Sequence, residues 1–163
     1  YTYDYMVLAA GSTNNYFGNN SPAGQTVGLK DIDEAEHLRN RILYNFEQAV
    51  HERDATRRRE LMTFVIIGGG PTGVELAGAF SELISHVLRK DYPMLDTGNA
   101  RVVLVEATDK VLAAFPESLQ KAARKRLEKK GVVLRLATLA ETVKSNCVDF
   151  TGRKKLEADG VAG

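Results

Sequence analysis

Three glycines and two acids carry the chemistry open to this sequence. Gly68, Gly70 and Gly73 stand at G-x-G-x-x-G spacing within FVIIGGGPTGVELAG, residues 64–78, and Glu75 and Glu106 follow them. The glycines sit directly after an apolar run, Phe64 to Ile67, and directly before a helical pattern beginning near Thr72. A dinucleotide pyrophosphate requires that order. Gly68 permits the tight turn, Gly70 lets the phosphates approach the backbone, and Gly73 lets the helix pack closely on the strand. Gly69, Pro71 and Thr72 complete the same turn. The helix N-terminus then offers unpaired N–H groups and partial positive charge to the anion.

Glu106 ends the next apolar run, RVVLV. An acid in that place accepts the adenosine ribose hydroxyls and repels the extra phosphate of NADP. It follows Gly73 by about 33 residues, against about 20 in the usual fingerprint. The intervening helix and the insert DYPMLDTGN, residues 91–99, account for the excess. A solvated acid at a strand end is the plainer alternative. Glu75 lies in the first helical turn after Gly73, where a helix terminus alone stabilises a carboxylate by ~0.3–1 kcal/mol. Spacing therefore leaves its role open. The motif also serves NAD and FAD alike, so it does not choose between them.

The elements that must hold these residues follow from periodicity. Tyr3 to Ala10 reads as a strand ending at Gly11-Ser12, and residues 12–28, rich in Asn, Gly and Ser, read as a loop or inter-domain connection. Asp31 followed by Glu34 reads as a capping-box-like helix start. Leu38, Ile42, Phe46 and Ala49 recur behind it at helical spacing, predicting one helix to about residue 60. Strand 63–67 is followed by a helix with Leu76, Phe80, Leu83 and Val87 on one stripe, stopping before Pro93. Strand 101–105 precedes a third helix, from Pro116 to about Lys130, with Leu119, Ala123 and Leu127 facing inward. Gly131 suits its C-terminal cap, and Val132 to Leu136 is the next strand. Residues 142–143, 147–150 and 155–157 suggest short antiparallel strands around turns at Ser145-Asn146 and Thr151-Gly152. The alternation predicts an α/β fold: a Rossmann-like, doubly wound parallel sheet with helices on both faces, and a small antiparallel β-meander near the C-terminus.

Composition narrows the function. The chain has 163 residues, 44% hydrophobic and 26% charged, with a formal net charge of +1. It reads as a soluble globular chain with no electrostatic case for nucleic acid. Arg57-Arg58-Arg59 is flanked by Glu60 and preceded by Glu52 and Asp54, which suits a solvated helix end. Cys147 is the only cysteine, so redox chemistry must come from a cofactor; it reads as half-buried beside a strand. His37, His51 and His86 show no metal-ligand spacing. No run approaches the ~20 apolar residues of a membrane span, and the chain reads as cytosolic or cytosol-facing. It opens at Tyr1 without an initiator methionine, in strand-like sequence, and so reads as an excised piece.

Together these residues resemble the flavin-dependent pyridine-nucleotide oxidoreductases, and among them the type II NADH dehydrogenases (NADH:quinone oxidoreductases). YDYMVLAAGS, residues 3–12, is similar to the last strand and turn of that family's FAD domain, with Ala10 where the family has Thr. STNNYFGNN, residues 12–20, is similar to its following loop; VIIGGGPTGVELAG to its NADH fingerprint; and VVLVEATDKVLAAFPESL, residues 102–119, to its second strand and onward segment. The resemblance implies that Gly68, Gly69, Gly70, Pro71, Thr72 and Gly73 hold the NADH pyrophosphate and that Glu106 binds the ribose. It implies a catalytic acid at Glu75, near nicotinamide and flavin, and FAD contacts at Ala10 and Gly11. Hydride would pass from NADH to FAD, and electrons on to a quinone.

It further implies that residues 1–20 are a remnant of the FAD-binding domain and 21–163 a C-terminally truncated NADH-binding domain. The parent would lie at the inner face of the cell membrane, and the piece alone would be inactive. A soluble NADH oxidase or flavoprotein reductase with another acceptor, and a non-catalytic nucleotide-binding module, remain the alternatives. The tail ADGVAG, residues 158–163, stops where a final parallel strand should run, leaving strand 63–67 without a neighbour on one side. Unpaired apolar edges recruit other chains. Residues 3–10 are therefore expected to order against a second copy, giving a homo-oligomer, or against the open sheet edge.

Overall fold

The computed structural model describes residues 2–11, 25–144, 146–151, 154–158 and 160–162. Its centre is a parallel sheet built from β1 (Thr63–Ile67), β2 (Arg101–Val105), β3 (Val133–Arg135) and β7 (Gly160–Ala162), in the order β3-β2-β1-β7. β1 and β2 pair along their full length, Thr63 opposite Arg101 through Ile67 opposite Val105. Both turns that leave them therefore emerge at one edge, side by side. An antiparallel meander, β4 (Ala140–Lys144), β5 (Cys147–Phe150) and β6 (Lys154–Glu157), forms a second sheet.

Period-two alternation sends successive side chains of the central strands to opposite faces. Phe64, Ile66, Val102 and Leu104 share a core with the helices α1 (Ile32–His51) and α3 (Pro71–Glu82) and with Leu127 of α5 (Glu117–Lys129). Phe64 anchors it. Its ring stacks on Phe46 at 6.0 Å and meets Phe80 edge-on at 5.9 Å. Val65, Val103, Val105 and Val161 instead pack against Val143, Val148, Phe150 and Leu156 of the meander. The expected Rossmann-like sheet and meander are both present, but the second face is covered by the meander and not by helices. Arg135 of β3 sits 5.2 Å above the Phe150 ring and ties the two sheets.

The structure corrects several local expectations. The helix expected to run to residue 60 breaks after His51. Asp54 accepts the Arg57 N–H at 2.7 Å and caps a separate α2 (Ala55–Leu61). The arginine cluster lies on α2, where Arg57 pairs with Glu60 at 3.0 Å, in keeping with a solvated helix end. α3 runs on as π-helical turns over Leu83–Leu88, then into a single turn, α4 (Arg89–Asp91). The buried positions there are Phe80, Ile84 and Leu88, and Val87 is 45% exposed. More residues per turn in the π stretch widen the stripe to every fourth residue. Leu119 is 50% exposed, because α5 reaches the core through its second half, at Leu127. Cys147 is fully buried.

The two ends of the chain depart furthest from expectation. The described residues 2–11 form no strand, and Tyr5 and Val7 are 94% and 88% exposed. The expected open side of β1 is closed by β7, with Phe64 opposite Gly160 and Ile66 opposite Ala162. Val27 extends that edge, donating its N–H to the Val161 carbonyl at 3.2 Å. The tail thus supplies its own last parallel strand, and residues 3–10 do not order on this edge. The passage 12–20, the proposed boundary at residue 20 and Ser145 and Gly152 of the expected turns lie outside the described residues.

At the end of α3 remote from the glycines, Lys130 forms an ion pair with Glu82, and the Ser81 hydroxyl donates to the Lys130 carbonyl at 2.5 Å. The hydrogen bond and charge of Lys130 hold the Glu82 carboxyl below its ordinary value.

Candidate functional site

The glycine turn is assembled by backbone geometry before any ligand enters. Gly68 takes φ 108, a left-handed conformation that a side chain resists, and its N–H donates to the Val105 carbonyl at 2.8 Å. Gly70 caps α3, and Pro71 opens it at the position where a missing N–H costs nothing. Gly73 lies against the turn. A Cβ there would sit 1.9 Å from the Gly68 carbonyl oxygen and 3.5 Å from Leu104. At Gly70 a Cβ would meet nothing among the described residues within 4 Å, so the outer lip of the turn opens to a ligand. The first-turn N–H groups of α3 face that opening without intrahelical acceptors.

Glu106 arrives beside this turn at the end of β2 and is half-buried. Its carboxylate accepts two backbone hydrogen bonds, from Gly69 N–H at 2.6 Å to Oε2 and from Thr108 N–H at 2.7 Å to Oε1. The carboxylate is thus fixed over the glycine turn by two backbone donors. The loop after β2 closes the other side. Leu112, at φ 53, donates its N–H to the Gly69 carbonyl at 2.8 Å. A cleft of about 220 Å³ results, lined by Gly69, Gly70, Pro71, Glu106, Lys110 and the loop residues Leu112 to Phe115.

Of the expected site residues, Gly69, Gly70, Pro71 and Glu106 line this cleft, while Gly68, Thr72 and Gly73 belong to the same turn without lining it. Glu75 is exposed on α3, and Ala10 and Gly11 are exposed on the N-terminal segment. Gly11 has φ 74, and among the described residues, its chain neighbours aside, no atom lies within 4 Å of where its Cβ would be. Thr108 and Leu112 escaped sequence reasoning because they contribute backbone N–H groups, which any residue carries. The one available signal was VLAAF, an apolar tract with neither helical nor alternating period. Larger clefts exist elsewhere. One of about 610 Å³, between Ser81, Arg89, Asp96 and Lys130, lies at the far end of α3 and holds none of these residues. Among the described residues no group of three or more His, Cys, Asp or Glu side chains could hold a metal ion. No helix among them is long and apolar enough to cross a membrane.

Comparison with known proteins supplies the lineage. Residues 1–162 match the family described as pyridine nucleotide-disulphide oxidoreductase. The chain belongs to that family. Two relatives from Mycobacterium tuberculosis are type II NADH:quinone oxidoreductases. Ndh is 42% identical over 88% of this chain and 31% of its own length, and NdhA is 38% identical over 97% and 33%. The mitochondrial external NADH-ubiquinone oxidoreductase 2 of Saccharomyces cerevisiae is 34% identical over 87% of this chain and 26% of its own. The chain thus spans about a third of the length of the curated relatives it matches. In fold it is similar to a solved structure of NDH2 from Plasmodium falciparum in complex with NADH, with TM-score 0.87 and 20% identity over 98% of this chain and 34% of that one. The similarity covers the parallel sheet, the glycine turn and the meander together.

Proposed function

We propose that this chain is the NADH-binding portion of a flavin-dependent NADH:quinone oxidoreductase of the respiratory chain. The observation that carries the reading is the pairing of an open lip at Gly70 with a carboxylate fixed beside it by Gly69 and Thr108. The pyrophosphate would rest on the N–H groups of the turn and of the α3 N-terminus. Pro71 and Thr72 would shape that surface, and Glu106 would accept the ribose hydroxyls. A 2′-phosphate would bring two more negative charges to the fixed carboxylate, so NADPH is disfavoured. The relatives' names support a quinone as final acceptor. A place at the inner face of the cell membrane is part of the same proposal.

FAD, when bound in the whole protein, supplies the centre that takes hydride from the nicotinamide. This chain's part is to hold the donor so that ring meets ring, which lowers the barrier by orientation. Ala10 and Gly11 would touch the flavin. Glu75 would stand near the reacting rings. In this reading residues 1–20 belong to the FAD-binding domain and 21–163 to the NADH-binding domain, and the chain by itself does not turn over. Alone, its exposed residues Tyr3 to Leu8 would associate with a second copy. A monomer in sedimentation analysis removes that point.

The decisive experiment is a titration of NADH and NADPH followed by nucleotide fluorescence. NADH should bind at least about tenfold more tightly, and Glu106→Ala should erase most of that difference. Equal binding of both nucleotides to the unaltered protein overturns the reading.

A further inference from the structure

Resting on the reading of the glycine turn as an NADH site, we propose that Gly69 is a specificity-determining residue that acts by positioning Glu106. The fingerprint leaves this place unspecified, as the first x of G-x-G-x-x-G. In the structure, three contacts converge on it. Its N–H donates to Glu106 Oε2 at 2.6 Å, and its carbonyl accepts the Leu112 N–H at 2.8 Å. The third contact is one of shape. A Cβ on residue 69 would lie 2.9 Å from Glu106 Cγ, 3.0 Å from its Cβ and 3.0 Å from Oε2. The stem of Glu106 therefore lies flat on the bare Cα of Gly69, and residue 69 is buried beneath it.

A methyl group at position 69 has no room unless something moves. The backbone of the turn is held by the Leu112 N–H on one side and by the Gly68–Val105 hydrogen bond on the other. Glu106 is the member that yields. Its retreat breaks the Gly69 hydrogen bond and carries the carboxylate away from the ribose hydroxyls and from the place of a 2′-phosphate. Gly69 thus governs the choice between NADH and NADPH through another residue, while the pyrophosphate seat at Gly70 and α3 stays in place. Thr108 is the second donor but offers no comparable steric control, since its N–H reaches the opposite oxygen from the following turn.

The test is a double-mutant cycle on the whole protein that carries this chain, with NADH and NADPH dissociation constants as the readout. Gly69→Ala should lower the NADH-over-NADPH preference about five- to tenfold, chiefly by weakening NADH, the net scale of one ordinary hydrogen bond. In a Glu106→Ala background, where no carboxylate remains to displace, Gly69→Ala should change the preference less than about twofold. Three results overturn the proposal: an unchanged preference, a parallel loss for both nucleotides, or equal effects in both backgrounds. Should Gly69→Ala fail to fold, Glu106→Asp probes the same contact from the other side. Drawn back by one methylene, the carboxylate loses Gly69 and the preference should fall; an intact preference overturns the proposal. Unaltered protein that binds both nucleotides equally overturns the parent reading and this inference together. A preference present in the unaltered protein but surviving Gly69→Ala overturns this inference alone.

Discussion

On the inner side of the glycine turn a Cβ at residue 73 would lie 1.9 Å from the Gly68 carbonyl oxygen; on the outer side a Cβ at residue 70 would meet no atom within 4 Å. Both positions are glycine in one short motif, three residues apart. Gly73 is required by the packing of α3 on the turn, whether or not a nucleotide is present. Gly70 is required by nothing within the described residues. Its φ of −73° suits any residue, so its bareness points outward, to the group that would lie over it. One motif therefore mixes residues that make the fold with residues that serve a ligand, and only neighbouring atoms tell them apart.

Substitutions that separate the two sides put this contrast at risk, starting with the most damaging. Gly73→Ala forces α3 away from the turn, a backbone overlap that no rotamer relieves. It should cost about 3 kcal/mol or more of stability, read from the denaturation midpoint. Gly70→Ala should leave stability within about 1 kcal/mol and weaken NADH about tenfold, by holding the phosphates off the N–H groups. If both variants lose stability alike, the distinction between inner and outer side collapses. The smallest effect is expected at the other end of α3, which serves as the control. Glu82 is held below its ordinary value of 4.5 by Lys130, so its pairing favours the folded state above that pH and fades as pH falls through the lowered value. Glu82→Gln should therefore flatten the acid side of the melting-temperature profile below about pH 4.5. NADH affinity at pH 7 should not change.

A second contrast shows where sequence reasoning stops. Residues 3–10 have the apolar composition of a strand, and Gly160 to Ala162 have almost no strand signal, yet the second segment is the one that pairs with β1. Pairing needs a partner edge, correct register and room. Gly160 brings all three: a Cβ there would come within 2.4 Å of the Phe64 ring, so the close approach depends on its absence. No local period announces that. The break at Asp54 is legible in principle, because an Asp before a short helical run is a cap, but the apolar stripe from Leu38 to Ala49 ends short of it and does not mark where the helix stops. The exposure of Leu119 and Val87 depended on where each helix meets the sheet, a relation between elements that no single segment contains.

The sequence by itself determined what is local. An apolar run followed by glycines at fixed spacing fixes a strand, a turn and a helix start, and an acid after the next apolar run ends the neighbouring strand. Those preferences act over a few residues and need no third party. Tertiary structure alone decided that the carboxylate of Glu106 would be gripped by the N–H groups of Gly69 and Thr108, that Leu112 would lock the loop to the turn, and that a β-meander would cover the second face. Each of these depends on backbone groups or surfaces brought together from distant parts of the chain. Every residue carries the same N–H and C=O, so a sequence cannot mark which ones will meet.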